Sequence, residues 1–266
     1  MTYGLQDLLE RMDHNLAEHA CHLHRTHAPM TVEESADILI SDSGLADDTF
    51  NIVARARFTE QTAAARIDDV IAATRATKRP FSWWVGPTST PNDLSQLLVK
   101  AGLPASDPES AMWIDLNETV NPTADNVPQL RVDMATEPKH LVDYAAVLGH
   151  GWDPPSTTLP EFVTRTADAA LLDSCPAHYL VGYVDGEPMA TAEVFLSAGV
   201  AGIYAVMTAA THRRRGFGTS MMAAALELAR AYDHPIVVLQ ASAEGEQLYR
   251  TLGFHTSGAY LEHPIR

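Results

Sequence analysis

The stretch that most constrains this chain is Val206-Met-Thr-Ala-Ala-Thr-His-Arg-Arg-Arg-Gly-Phe-Gly-Thr-Ser220. The apolar run Ile203-Tyr204-Ala205-Val206-Met207 predicts a strand. After the glycines, Thr219 to Arg230 is rich in Ala, Leu and Met, all good helix formers. Met222, Ala225, Leu226 and Ala229 recur at helical spacing and give that helix one buried stripe. Three consecutive arginines and two glycines stand between strand and helix. Free N–H groups at a helix start, with the helix dipole behind them, attract anions. Glycine lets a ligand approach the main chain. The local chemistry fits a pyrophosphate.

The other common phosphate loops do not fit. A mononucleotide loop needs Lys-Ser/Thr after its last glycine, and Thr219 follows Gly218 directly. A dinucleotide fingerprint needs a third glycine where Met221 stands. The pattern that does fit is Arg/Gln-x-x-Gly-x-Gly/Ala, here Arg213-Arg214-Arg215-Gly216-Phe217-Gly218. At this point the chain resembles the GNAT N-acetyltransferase superfamily, whose loop of this form holds the pyrophosphate of coenzyme A. A second segment agrees in order and separation. Leu239-Gln-Ala-Ser242, then Gly245, then Leu248-Tyr249-Arg-Thr-Leu-Gly253-Phe254 is similar to the family segment ending Leu-Tyr-x-x-x-Gly-Phe. From residue 130 on, the sequence predicts a strand, two helices, three strands with an Asp185-Gly186 hairpin, helix, strand, helix, strand. The resemblance covers this half.

An internal repeat extends it. Pro80-Phe-Ser-Trp-Trp-Val85, a helix and Leu97-Leu98-Val-Lys-Ala-Gly102-Leu103 parallel Pro235-Ile-Val-Val-Leu239, a helix and Leu248-Tyr249-Arg-Thr-Leu-Gly253-Phe254. The first half has no glycine between Gly44 and Gly86, so it lacks an arginine–glycine loop. The expected fold is α/β (α+β): two tandem GNAT-like modules, each a mixed central sheet flanked by helices. Residues 117–129 are polar with two prolines and read as a linker. They divide a degenerate module, 1–125, from a catalytic one, 126–266. The degenerate module reads as scaffold or cleft wall, with a cofactor pocket of different chemistry as the alternative.

The resemblance implies roles residue by residue. Main chain at Val206, Met207 and Thr208 would hold the pantetheine arm and acetyl carbonyl. Arg213, Arg214, Arg215, Gly216, Phe217, Gly218 and Thr219 would hold the pyrophosphate. Ser242 would hydrogen-bond acetyl-CoA, the expected cosubstrate, and Tyr249 would give a proton to the leaving thiolate. Gly202 stands where several relatives carry a basic Glu. Glu193 is the substitute, because a carboxylate in the mostly apolar strand Met189–Leu196 costs free energy unless it works or is paired. An outward-facing Glu193, with water as the base, is the alternative. His150, Trp152 and Asp153 lie in the loop that often covers the acceptor, and an aromatic beside an acid suits a cation.

The expected activity is transfer of acetyl from acetyl-CoA to a primary amine of a small molecule. The alternative is a non-catalytic acyl-CoA sensor. With 34 acidic side chains against 18 basic ones and a net charge of −16, a general nucleic-acid partner is disfavoured and a cationic small molecule favoured. Two cysteines give no disulfide framework, and no apolar run is long enough for a bilayer. The expectation is a cytoplasmic protein with no membrane partner, a monomer or a homodimer. Residues 5–28 predict one amphipathic helix with Leu5, Leu8, Leu9, Met12 and Leu16 on its apolar side. His19, Cys21, His22, His24 and His27 crowd its end, but their spacing matches no zinc module, so no metal is expected.

Overall fold

The computed structural model describes residues 3–118, 127, 129–151 and 155–266. The elements run α1 (Leu5–Cys21), β1 (Thr31–Glu34), β2 (Leu39–Asp42), β3 (Ile52–Ala54), α2 (Ala63–Ala76), β4 (Phe81–Val85), α3 (Leu94–Lys100), β5 (Glu109–Asp115), β6 (Arg131–Met134), α4 (Pro138–Gly149), α5 (Thr158–Ala170), β7 (Ala177–Val184), β8 (Glu187–Ser197), β9 (Val200–Thr208), α6 (Phe217–Ala231), β10 (Ile236–Ala241), α7 (Glu246–Thr251) and β11 (His255–Ile265). The chain divides into two compact units. One is Met1–Ala111 with Gln240–Glu246 and Thr256–Arg266; the other is Met112–Leu239 with Gln247–His255. The units interleave in sequence: most of the last strand belongs to the first. No helix among the described residues is long and apolar enough to cross a membrane.

In the first unit the strands run β1-β2-β3-β4-β11. β3 and β4 are parallel and the other neighbours antiparallel. The α2 stripe Ala63, Ile67, Val70 and Ile71 packs with Phe81, Trp83, Leu94, Leu98 and Ile265 in one apolar core. α1 ends earlier than the sequence pattern suggested, at Cys21, where a 3-10 turn takes over. Its buried face is Leu8, Met12, Asn15, Ala17 and Cys21, and Leu5 is 59% exposed. The stripe rotates because polar Asn15 and Asp13 are drawn inward too; Asp13 accepts from the Thr88 main-chain N–H at 3.0 Å. Two of the histidines at the helix end bond to main-chain carbonyls. The His22 ring donates to the His19 carbonyl at 2.8 Å, and the His24 Nε2 to the Phe50 carbonyl at 2.7 Å. Burial pushes the Cys21 thiol up to about 12.

In the second unit the strands run β10-β9-β8-β7-β6, with β9 and β10 parallel and the rest antiparallel. The β7–β8 turn places both Asp185 and Gly186 at positive φ, as the Asp-Gly pair predicts. The β8–β9 turn does the same with Ala198 and Gly199. The α6 stripe Met222, Ala225, Leu226 and Ala229 is buried.

The repeat is visible in backbone detail. Gly102 and Gly253 both follow a short helix with φ near +90°, at +88° and +93°. In the first unit Leu103 N donates to the Leu98 carbonyl at 2.9 Å; in the second Phe254 N donates to the Tyr249 carbonyl at 3.0 Å. Both are the six-to-one bond of a glycine-terminated helix, and they make Leu98 and Tyr249 equivalent positions. Just beyond the strand that pairs in parallel, Arg55 has a φ of +56°; within the corresponding strand, Ala205 has +51°. The units then differ. In the first, Thr90 N donates to the Ala56 carbonyl at 3.0 Å and Phe58 N to the Thr90 carbonyl at 3.1 Å, so main chain bridges the gap beyond the parallel pair.

Candidate active site

In the second unit that gap stays open. β9 pairs with β10 at Ala201–Val237 and Gly202–Val238, and no further pairing between them occurs among the described residues. Tyr204 to Thr208 are therefore laddered on the β8 side alone. That ladder carries a bulge: Glu193 faces Tyr204 and Thr191 faces Met207, so Ala205 and Val206 together oppose Ala192. Ala205 takes the positive φ, and the Thr191 hydroxyl donates to its carbonyl at 2.9 Å. These residues are half-buried, whereas Val200 to Ile203 are buried. Val206, Met207 and Thr208, singled out by the sequence, all fall on this outer stretch. A Cβ on Gly151 would collide with the Met207 side chain, so Gly151 lies directly over β9.

Beyond β9 the chain turns through Arg213 and Arg214, the latter at φ +56°, into Gly216 at φ +85°. Gly216 is the N-cap of α6 and gives no side-chain cap. Ser220 N reaches the Gly216 carbonyl, but the N–H groups of Phe217, Gly218 and Thr219 precede the first helical acceptor. Arg213, Arg214 and Arg215 are exposed, and among the described residues none pairs with a carboxylate. The Arg213 Nε lies 3.4 Å from the Thr208 carbonyl. The Phe217 ring stacks on His212 with centroids 5.5 Å apart, and the Arg215 guanidinium sits 5.7 Å from the same ring. Positive charge and uncapped donors thus converge on one helix end. A Cβ on Gly218 would meet the Leu248 Cδ2 only at 3.6 Å, leaving that main chain open to a close ligand.

Tyr249 lies in α7, 9% exposed, its ring 5.9 Å from that of Phe254. Ser242 precedes α7 and is exposed; its carbonyl accepts from Gly245 N at 3.0 Å and Glu246 N at 2.9 Å. After this turn α7 runs Glu246–Thr251. His150 caps α4, exposed, its ring donating to the Ala146 carbonyl. Trp152 and Asp153 lie outside the described residues.

Glu193 points inward. It is 5% exposed, and the Tyr144 hydroxyl of α4 donates to its Oε2 at 3.0 Å. Tyr179 on β7 and Tyr204 on β9 are its cross-strand neighbours on either side. Tyr144 and Tyr179 meet edge to face at 5.2 Å. Burial, and then the Glu193 charge, push the Tyr144, Tyr179 and Tyr204 phenols well above their ordinary value, so all three remain protonated. The sequence reading found Glu193 but not this tyrosine shell.

Residues 148–254 match the acetyltransferase (GNAT) family. No protein of curated function matches the chain. Among solved structures it is similar to a GCN5-related N-acetyltransferase from Kribbella flavida, with a TM-score of 0.73 at 15% identity over 96% of this chain and 95% of that one. It is also similar to a tandem GNAT protein from the clavulanic acid biosynthesis pathway, with a TM-score of 0.61 at 15% identity over 98% and 94%. A third similar structure is a GCN5-related N-acetyltransferase from Sphaerobacter thermophilus, with a TM-score of 0.61 at 15% identity over 85% and 76%. The chain therefore carries its match to the acetyltransferase (GNAT) family within its second half, at residues 148–254. Along its whole length it has the fold of a tandem GNAT protein, with a first module that lacks the arginine–glycine loop.

Proposed function

We propose that the second unit transfers an acetyl group from acetyl-CoA directly to a primary amine of a small molecule. The observation that carries this reading is the α6 start. Among the described residues, three arginines without carboxylate partners stand at a helix N-terminus with no side-chain cap, next to a strand stretch laddered on its β8 side. Anions bind such ends, and the outer stretch of β9, beyond its pairing with β10, can ladder with the amides of a pantetheine arm.

In this reading the Tyr204–Thr208 main chain aligns the thioester and polarises its carbonyl. The amine nitrogen attacks the carbonyl carbon and the C–S bond breaks. Glu193 receives the proton lost by nitrogen, and the Tyr249 hydroxyl supplies one to the departing sulfur. His150 at the end of α4, with Trp152 and Asp153 following it in sequence, would contribute to covering the acceptor. The net charge of −16 favours a cationic acceptor over an anionic one. In the first unit the bridge between Ala56, Phe58 and Thr90 takes the place of the open gap, which supports one acetyl-CoA for each chain.

The test is thiol release from acetyl-CoA across a panel of amino acids, polyamines and aminoglycosides, with calorimetry for CoA binding. Turnover with one class and a stoichiometry of one is expected. Absence of both binding and turnover would sink the proposal. Binding without turnover would favour the sensor reading, which gains support from one feature: the Glu193 carboxylate is already engaged by Tyr144.

A further inference from the structure

We propose that Tyr144 is a positioning residue for Glu193, holding the carboxylate oriented and ionised inside the sheet face that α4 covers. The inference rests on the reading of Glu193 as the proton acceptor. Three observations carry it. The Tyr144 hydroxyl donates to Oε2 at 3.0 Å, from a side chain that is itself buried. The Tyr144 ring is in turn fixed by its edge-to-face contact with Tyr179, 5.2 Å between centroids. Glu193 sits directly across from Tyr204, the last residue before the bulge at Ala205, and so beside the open stretch of β9.

The physical problem is that a carboxylate 5% exposed loses its hydration. Unassisted, it would hold a proton and could not take another. A phenol donating to it favours the ionised form. Tyr144 on α4 donates to it, Tyr179 on β7 and Tyr204 on β9 stand directly across from it, and its charge also reaches Cys175 just before β7 and His178, whose ring packs on Tyr232. None of these is a fixed positive charge: the His178 ring is held below its ordinary value by burial, and the phenols and thiol are held above theirs. The hydrogen bond donated by Tyr144 at 3.0 Å therefore stabilises the ionised form without adding a positive charge. A phenol also suits an acceptor of protons better than a cation would. A full positive charge would hold the carboxylate so firmly ionised that it could not bind the amine proton.

The experiment is an infrared titration of the full chain, with the Glu193 carboxyl band assigned by its loss in Glu193→Gln. In Tyr144→Phe the midpoint of that band should move up by about one pH unit, the scale of one donor lost from a charged acceptor. The acidic limb of kcat/KM for the preferred amine should move with it, giving about tenfold slower turnover on that limb. Replacing Tyr144 by 3-fluorotyrosine keeps the shape and strengthens the donor, so both should move down; this variant serves if the phenylalanine form does not fold. A merely structural tyrosine would lower the melting temperature and leave both midpoints in place, which overturns the proposal. If Glu193→Gln turns over like the parent, the reading of Glu193 fails and Tyr144 falls with it. If Glu193→Gln is inactive but the Tyr144 variants leave the band unmoved, only the inference about Tyr144 is lost.

Discussion

The Thr191 hydroxyl donates to the Ala205 carbonyl at 2.9 Å, across the point where β9 carries one residue more than β8. That bond holds an alanine at φ +51°, a conformation costing roughly 1–2 kcal/mol for an L-residue. The bulge turns the outer half of β9 away from the regular ladder, and the proposed acyl site lies along that half. Thr191→Val keeps the shape and removes the donor. The expected loss is about 1 kcal/mol of stability, with a fall in kcat larger than the change in CoA affinity. Equal changes in both would mean that the bulge serves binding alone.

The two loop glycines should respond differently. Gly216 is at φ +85°, and a Cβ there would stand 2.9 Å from the Val127 Cγ2. Gly216→Ala should lower the melting temperature as well as acetyl-CoA affinity. Gly218 has room for a Cβ, with the Leu248 Cδ2 at 3.6 Å. Gly218→Val should therefore fold like the parent and lose CoA binding, because the bulk falls where a pyrophosphate must approach. Calorimetry and a melting curve on both variants check this; a Gly218→Val protein that binds CoA normally contradicts the assigned role.

Replacing Arg213, Arg214 and Arg215 together by alanine removes three exposed cations that have no carboxylate partner among the described residues. Stability should change by less than about 0.5 kcal/mol, as for surface positions in general. CoA affinity should fall, and its dependence on ionic strength should flatten. An unchanged salt slope would place the phosphate elsewhere.

Tyr249→Phe retains the ring that packs 5.9 Å from Phe254. CoA affinity should stay near the parent value while turnover drops roughly 10²-fold or more, the usual contribution of a positioned acid. A parental rate would remove the proton-donor role.

Burial holds His24 and His263 below the ordinary imidazole value. Each is neutral in the fold: His24 donates to the Phe50 carbonyl, and His263 donates from Nδ1 to the Leu103 carbonyl at 2.9 Å while its Nε2 accepts from the Ser95 hydroxyl at 3.0 Å. In the unfolded chain they bind protons near pH 6.5. Stability should therefore fall as the pH drops below about 6.5, until the folded values are reached. His263→Gln should be less stable at pH 8 but show a flatter decline between pH 7 and 5. Melting curves across that range decide it; a decline as steep as the parent's would mean that His263 does not titrate on unfolding.

The arginine–glycine loop, the α6 stripe, the Asp185-Gly186 turn and the pair of glycine-ended helices were legible because each depends on residues close together in the chain. Local sterics and helical periodicity specify them wherever they are placed. The β8–β9 turn likewise fixes Glu193 opposite Tyr204, since the register counts back from Ser197–Val200 without interruption. The other neighbour was not legible. Counting from the β7–β8 turn would set Glu193 against His178, but a register shift at Gly182/Tyr183 brings Tyr179 there instead. A one-residue shift turns every later side chain to a different partner, and nothing local announces it. The tertiary structure alone decided that Tyr144 of α4 comes down on the same face, and that β11 pairs with β4 of the first unit. Those choices follow from burial of whole faces, a free energy summed over elements far apart in sequence, and no short stretch of residues carries it.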